Sequence, residues 1–333
     1  MKVQKEVRPH LKGWKRRWAV RRKREKGQAA LMGRRPLSVR LHRSGQYYLL
    51  LLPAFVYVLI FCYGPMYGLQ IAFRNYKMSL GVTGSPWVGL RNFEMFFGSY
   101  YFPTLMRNTF TLSLYMLLFS FPVPIIIALI INELKGGFKR VLQTVLYAPH
   151  FISTVVLVGM LTIMLSPSMG IVNTLLCHFG ADPVYFMGDP GFFRPVYIIS
   201  GIWQDMGWNA IIYIAALSGV DSALHEAAEL DGASRIQRII HINLPCILPT
   251  IVIMLIMQLG SIATISYEKI FLMQNDLNLE VSEVISTYVY KRGLVNNNYS
   301  FATAVGLFNN LINVAMLLVA NTVSRKVSET SLF

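Results

Sequence analysis

The sequence has 333 residues, 54% of them hydrophobic and only 14% charged, and carries a formal net charge of +15. Soluble domains carry roughly 25% charged residues, so this chain has too few charges to cover a water-facing surface, and a soluble protein is excluded. The positive excess is local, because residues 1–45 hold sixteen of the 31 lysines and arginines.

That basic tail, with KGWKRRWAVRRKREKG at its centre, reads as an anchor against anionic lipid, with Trp14 and Trp18 at the interface. No nucleic-acid partner is expected, since no reading element accompanies the charge. The first apolar run starts near Tyr47, is too long for a signal core and is followed by no small-x-small cleavage site. Its stretch LLLLPAFVYVLIF lacks the every-second-residue alternation of a membrane β-barrel. A helix needs about 20 apolar residues to cross a bilayer, and six runs approach or exceed that length: 47–73, 104–131, 141–165, 195–220, 247–273 and 301–323. The expectation is an all-α polytopic membrane protein with six transmembrane helices.

Pro53, Pro65, Pro122, Pro124, Pro149 and Pro249 lie in or at the mouths of these runs. Membrane helices tolerate them where neighbours re-satisfy the freed backbone groups, and such helices are bent. Cys62, Cys177 and Cys246 match no metal or redox spacing, so neither a disulfide nor a metal site is expected.

Orientation follows from the basic residues of short loops. Lys135, Lys139 and Arg140 follow the second run, Arg235 and Arg238 the fourth, and Arg325 and Lys326 the sixth. Both termini and the loop after the fourth run are therefore expected on the cytoplasmic side of the membrane.

Polar groups inside the runs mark a path or a bond between helices. The fourth run holds Trp203, Gln204, Asp205, Trp208 and Asn209, with Asp205, Trp208 and Asn209 on one helical face. The fifth offers Gln258, Ser261, Thr264, Tyr267 and Glu268, and the sixth Asn309, Asn310 and Asn313. Trp203, Asp205, Asn209, Gln258, Tyr267, Asn309 and Asn310 are the candidate substrate-path residues, because such side chains offer a passing solute both hydrogen bonds and stacking faces. Interhelical hydrogen bonding explains the same set, and lining the path is favoured for Trp203, Asp205 and Asn209. Glu268 and Lys269 are expected to snorkel at the outer end of the fifth run. His10, His42, His150 and His178 read as scattered interfacial side chains.

The loop between the fourth and fifth runs, HEAAELDGASRIQRIIHINLP, is dense in polar groups. Residues 223–231 predict a helix, Gly232 its left-handed cap, and Ser234-x-x-Gln237 a capping box opening a second helix. Ile236, Ile239, Ile240 and Leu244 stripe that second helix, and Pro245 is expected to separate it from the fifth run. A first helix of small residues lets another surface approach closely, and its carboxylates suit basic partners. HEAAE offers the one enzymatic temptation. A zinc protease needs H-E-x-x-H, and position 229 is Glu. No phosphate-cradling G-x-x-x-x-G-K-[ST] is present.

Glu226-Ala227-Ala228, then Gly232, then Ile242-x-Leu244-Pro245 resembles the EAA signature of ABC importer permeases. YYLLLLPAFVYVLIFCYGPMYGLQIAF, SPWVGLRNFEMFF, WQDMGWNAIIYIAALSGVD and NTVSRKVSETSLF extend the resemblance over nearly all of the chain after the tail. They look like the carbohydrate-uptake, MalF/LplB-like oligosaccharide branch of type I permeases, with a MetI-like transmembrane fold. The resemblance implies a six-span permease domain over 46–324, a coupling loop over 221–245 and a cytoplasmic tail over 325–333. It makes Glu226, Ala227, Ala228, Asp231 and Gly232 the helix that couples to an ATPase. It also implies a second homologous permease, two cytoplasmic ATPases holding ATP and Mg, an extracellular solute-binding protein and a sugar cargo. No catalytic residue, metal or cofactor is expected in this chain. The rivals are the same architecture importing an amino acid, peptide or ion, a secondary transporter, and an intramembrane metalloprotease using HEAAE.

Overall fold

The computed structural model describes residues 45–327. The bulk of the basic tail, Trp14, Trp18, His10 and His42 included, and the last six residues of the chain lie outside the described residues. The chain divides into two compact units, Met1–Gly68 and Leu69–Phe333.

The first unit holds most of helix α1, which runs from Gly45 to Phe73 as an α-helix to Val58, a π turn over Leu59–Tyr63 and a 3-10 stretch from Gly64. Pro53 sits inside it without ending it.

Among the described residues of the second unit the regular elements are all helices, apart from one isolated bridge, Arg74 to Trp87. Helix α2, Phe102–Glu133, carries a π turn at Met116–Ser120, directly ahead of Pro122 and Pro124. Such a turn absorbs the hydrogen bonds that proline cannot make. Helix α3, Gly136–Phe151, and helix α4, Thr154–Met164, meet at 97°. Ser153 caps α4 by accepting from the Val156 amide at 3.4 Å. Helix α5, Pro190–Leu217, starts on Asp189, whose carboxylate accepts from Gly191 N at 2.7 Å, with Pro190 preset for the first turn. Helix α6 is Ser222–Leu230, α7 Arg235–Leu259, α8 Tyr267–Met273 and α9 Tyr299–Val327.

Three packed clusters set these helices. Ala128, Ala210, Tyr213, Leu217 and Ile247 join α2, α5 and α7. Leu112, Val158, Phe193, Tyr197, Ile198, Ile270 and Met273 join α2, α4, α5 and α8. Phe96, Leu105, Tyr288, Phe301 and Val305 bring α2 to the start of α9. At one crossing the approach is especially close, because a Cβ on Gly207 of α5 would lie 2.1 Å from the Leu146 carbonyl oxygen of α3. Small residues at a membrane-helix crossing permit this.

The expectation of six transmembrane helices is corrected. Among the described residues, four helices (α1, α2, α7 and α9) are long and apolar enough to cross a membrane, or up to five if the bent α3–α4 pair is one span. Two physical reasons account for the difference. Helix α5 has 28 residues, ample length, but Gln204, Asp205 and Asn209 at its centre dilute its apolarity. The expected third run is folded through a sharp corner instead of crossing straight.

The fifth run is also displaced. Pro245 does not separate two helices, since the π turn Ile239–Asn243 lets α7 pass through it. The helix then stops at Leu259, and Gly260–Ser266 is an irregular turn before α8. Side chains from two helices hold that turn. Ser113 donates to the Ile262 carbonyl. Asn309 donates to Ala263 O at 3.1 Å. Asn313 accepts from Ala263 N at 2.9 Å and donates to Thr264 Oγ1 at 2.7 Å. Unwound backbone survives at membrane depth only when protein groups satisfy it in this way.

Candidate translocation cavity and coupling helix

Where α5 faces the α3–α4 corner, three side chains of one polar face act together. His150 Nδ1 donates to Asp205 Oδ1 at 2.8 Å. The His150 ring lies flat on Trp208, with centroids 4.4 Å apart and 7° between planes. Gln204 donates to the Ile152 carbonyl at 2.8 Å. The corner is thus pinned to α5 by hydrogen bonds and stacking, which is the interhelical role the sequence left open for Asp205.

Beside this pin lies a cavity of about 390 Å³. Its polar wall includes Ser120, His150, Ser153, Thr154, Gln204, Asp205, Thr264, Ser266 and Lys269, and its apolar wall Met116, Ile152 and Ile265. A smaller hollow of about 130 Å³ shares Met116, Ser120, Gly201 and Asp205 with it and adds Asn209, Tyr213 and Gln258. Asp205, Asn209 and Gln258 are therefore brought together around one polar space.

The other candidates are elsewhere. Trp203 lies on the far side of α5, in an apolar groove with Leu161, Met164, Phe186 and Phe192. Tyr267 stacks on Tyr290 with centroids 5.1 Å apart. Asn309 holds the Ala263 carbonyl, and Asn310 is exposed on α9.

Lys269 corrects its expected position. It does not snorkel: it is 7% exposed, donates from Nζ to the Tyr197 carbonyl at 3.1 Å, and sits 4.8 Å from the centre of the Tyr197 ring. His150, Gln204 and Lys269 are among the cavity residues that the seven sequence-based candidates did not include. The signal for His150 was its neighbour Pro149, which marks the corner. For Lys269 there was only its place just past Gly260, where the helix ends.

The α6 loop is built from local signals. Asp221 caps α6 by accepting from Ala223 N at 3.0 Å. At its other end Ala233 N donates to Ala228 O and Gly232 N to Glu229 O, the paired bonds of a Schellman cap. Gly232 has φ +78, the left-handed value that this cap requires. The Ser234–Gln237 capping box forms in both directions. Arg238 pairs with Glu229, tying α6 to α7. Glu226, Ala227, Asp231 and Gly232 are exposed and Ala228 is half-buried. Leu230 is 90% exposed at the tip. Asn243 donates to Glu133 at 3.4 Å and fixes the base of α7 against α2.

His225 stands on this helix with Glu226 and Glu229, and among the described residues no three His, Cys, Asp or Glu side chains converge as a metal would need.

Residues 47–329 match the family of binding-protein-dependent transport system inner membrane components. The chain belongs to that family. It is a permease subunit of an ABC importer, of the carbohydrate-uptake branch, and a multi-pass membrane protein whose work is transport. It is similar to the polygalacturonan/rhamnogalacturonan transport system permease protein YteP of Bacillus subtilis (strain 168), 39% identical and covering 90% of this chain and 94% of that protein. It is 40% identical to Protein LplB of the same strain, over 88% of this chain and 92% of LplB. A solved bacterial ABC transporter, involved in the import of the acidic polysaccharide alginate, contains a chain of 43% identity. The match has a TM-score of 0.81 and covers 88% of this chain and 99% of that one.

Proposed function

We propose that this subunit carries an oligosaccharide across the membrane by alternating access, driven by nucleotide hydrolysis on partner subunits. The observation that carries the coupling half of this reading is α6. It is a capped helix of small residues with exposed Glu226 and Asp231, a glycine turn, and a leucine 90% exposed at its tip. A leucine that is bare in the isolated subunit fits a protein socket in the assembly. Glu226, Ala227, Ala228, Asp231 and Gly232 are the residues assigned to that contact. Glu229 has a different role, since Arg238 already holds it.

Two cytoplasmic ATPases, loaded with ATP and Mg, would press on α6 and on its counterpart in a second, related permease. The basic tail and the α6 loop face the cytoplasm by their lysines and arginines, and an extracellular binding protein delivers cargo on the other side. Support for that delivery comes from a solved alginate transporter in complex with an alginate pentasaccharide-bound periplasmic protein, a structure that contains a chain 42% identical to this one with a TM-score of 0.81. The polar space around Asp205, Asn209 and Gln258 is the proposed path, with the hydroxyls and amides that a sugar needs. Asn309 acts there indirectly, by holding the turn, and Trp203 and Tyr267 act by packing, while Asn310 stays exposed on α9.

The test is ATP hydrolysis by the reconstituted complex across a panel of oligosaccharides, amino acids and peptides. Stimulation by an oligosaccharide, abolished by Glu226→Lys with the subunit still membrane-inserted, is the expected result. Uptake by this subunit alone, without any ATPase, would overturn it.

A further inference from the structure

Lys269 presents a problem that the translocation scheme leaves open. An ammonium taken out of water is costly unless an anion accompanies it. Here both close partners are neutral: the Tyr197 carbonyl at 3.1 Å and the Tyr197 ring at 4.8 Å. No carboxylate among the described residues lies within 4.0 Å of Nζ. The one carboxylate in the same cavity, Asp205, is bonded to His150 at 2.8 Å. The opposing wall is Gly201, where even a Cβ would come within 3.3 Å of Nζ, so the space at the ammonium is kept free of side chain. A lysine head carries three donors, and one is used by Tyr197. The remaining donors belong to a cavity of about 390 Å³, within the size range of small-molecule sites.

We propose that the Lys269 ammonium reads a carboxylate of the cargo, so that the transported oligosaccharide is anionic and built with uronic acid units. This rests on the reading that the subunit moves a saccharide, and it names the class of saccharide. The sugar carboxylate supplies the direct anionic contact that the buried ammonium lacks, Asp205 facing it only across the cavity, while the hydroxyls meet Gln204, Thr264 and Ser266. Asp205, committed to His150, holds the wall and does not bind the acid.

The experiment uses the full complex in proteoliposomes with its partner permease, ATPases and binding protein. The probes are short oligogalacturonates and oligomannuronates, each beside the same oligosaccharide with its carboxyls reduced to alcohols. Half-maximal stimulation of ATP hydrolysis is measured for each, and the preference of the isolated binding protein for acid over alcohol is divided out. The remaining preference is expected to favour the acid by about tenfold, near the ~1.4 kcal/mol that a factor of ten represents. Lys269→Gln is expected to bring it close to one, and Lys269→Arg to keep most of it. Gly201→Ala, which crowds Nζ without removing it, serves as a second variant and should lower the preference by a smaller factor. An unchanged preference in an assembled Lys269→Gln complex overturns the proposal. If that variant does not assemble, an unchanged preference in Gly201→Ala does so. Stimulation by the reduced oligosaccharides alone defeats the uronate reading and leaves sugar transport standing. Stimulation by neither form defeats both.

Discussion

In the α6 loop the stabilising contacts close over short stretches of chain: Asp221 to Ala223, Ser234 to Gln237, Glu229 to Arg238. Around the cavity, partners are far apart in the sequence. His150 meets Asp205 across 55 residues, Ala263 meets Asn313 across 50, and Lys269 meets Tyr197 across 72. The loop keeps its shape by its own chemistry, and the cavity exists only once five helices have packed. Damage to the loop should therefore cost function and spare the fold, whereas damage at the cavity wall should cost both.

The strongest test of that contrast is Gly207→Leu. A side chain there is driven into the Leu146 backbone, and overpacking costs about 1–3 kcal/mol or more. No monodisperse protein is expected after detergent extraction. Gly232→Pro should give the opposite pattern. Proline holds φ near −65°, against the +78 of this turn, so transport is lost while membrane insertion and the melting temperature stay near wild type. A large fall in melting temperature would show that the loop is not autonomous. Next, Asn313→Leu orphans the Ala263 amide, for which roughly 1–3 kcal/mol is expected, read as a lower melting temperature of the purified subunit. Asp205→Asn keeps the shape of the α3–α4 corner pin but weakens its bond to His150, and should alter sugar-dependent ATP hydrolysis more than stability. The smallest effect belongs to Glu229→Gln. Its pairing with Arg238 is surface-exposed on the Glu side, and such pairs contribute about 0–1 kcal/mol, so a change in transport beyond about twofold would point to a direct role in docking.

The same division explains what was legible in the sequence. Gly232 as the cap of α6 and the Ser234–Gln237 box were readable because each signal and its partner lie within a few residues of each other. The second and last long helices, Phe102–Glu133 and Tyr299–Val327, were readable from hydropathy alone. Pro245 was misread because the preceding π turn depends on backbone bonding that no residue advertises. The fifth run was misplaced because Ile262 to Ile265 looks as apolar as a helix, and the asparagines that hold it unwound lie on α9. Lys269 was misread because its burial is decided by Tyr197 and Gly201 on α5. Of the seven path candidates, Asp205, Asn209 and Gln258 share a space, since two of them sit one turn apart on α5 and the third faces them from α7.

The amide of Asn313 grips two consecutive residues, accepting from Ala263 and donating to Thr264. A shift of α9 by one turn, about 5.4 Å, would strand both bonds together, so the turn is carried wherever α9 goes. Thr264 and Ser266 form part of the chamber wall, whereas α9 contributes nothing to either hollow. A perturbation confined to the last helix would thus resize a compartment that this helix never touches.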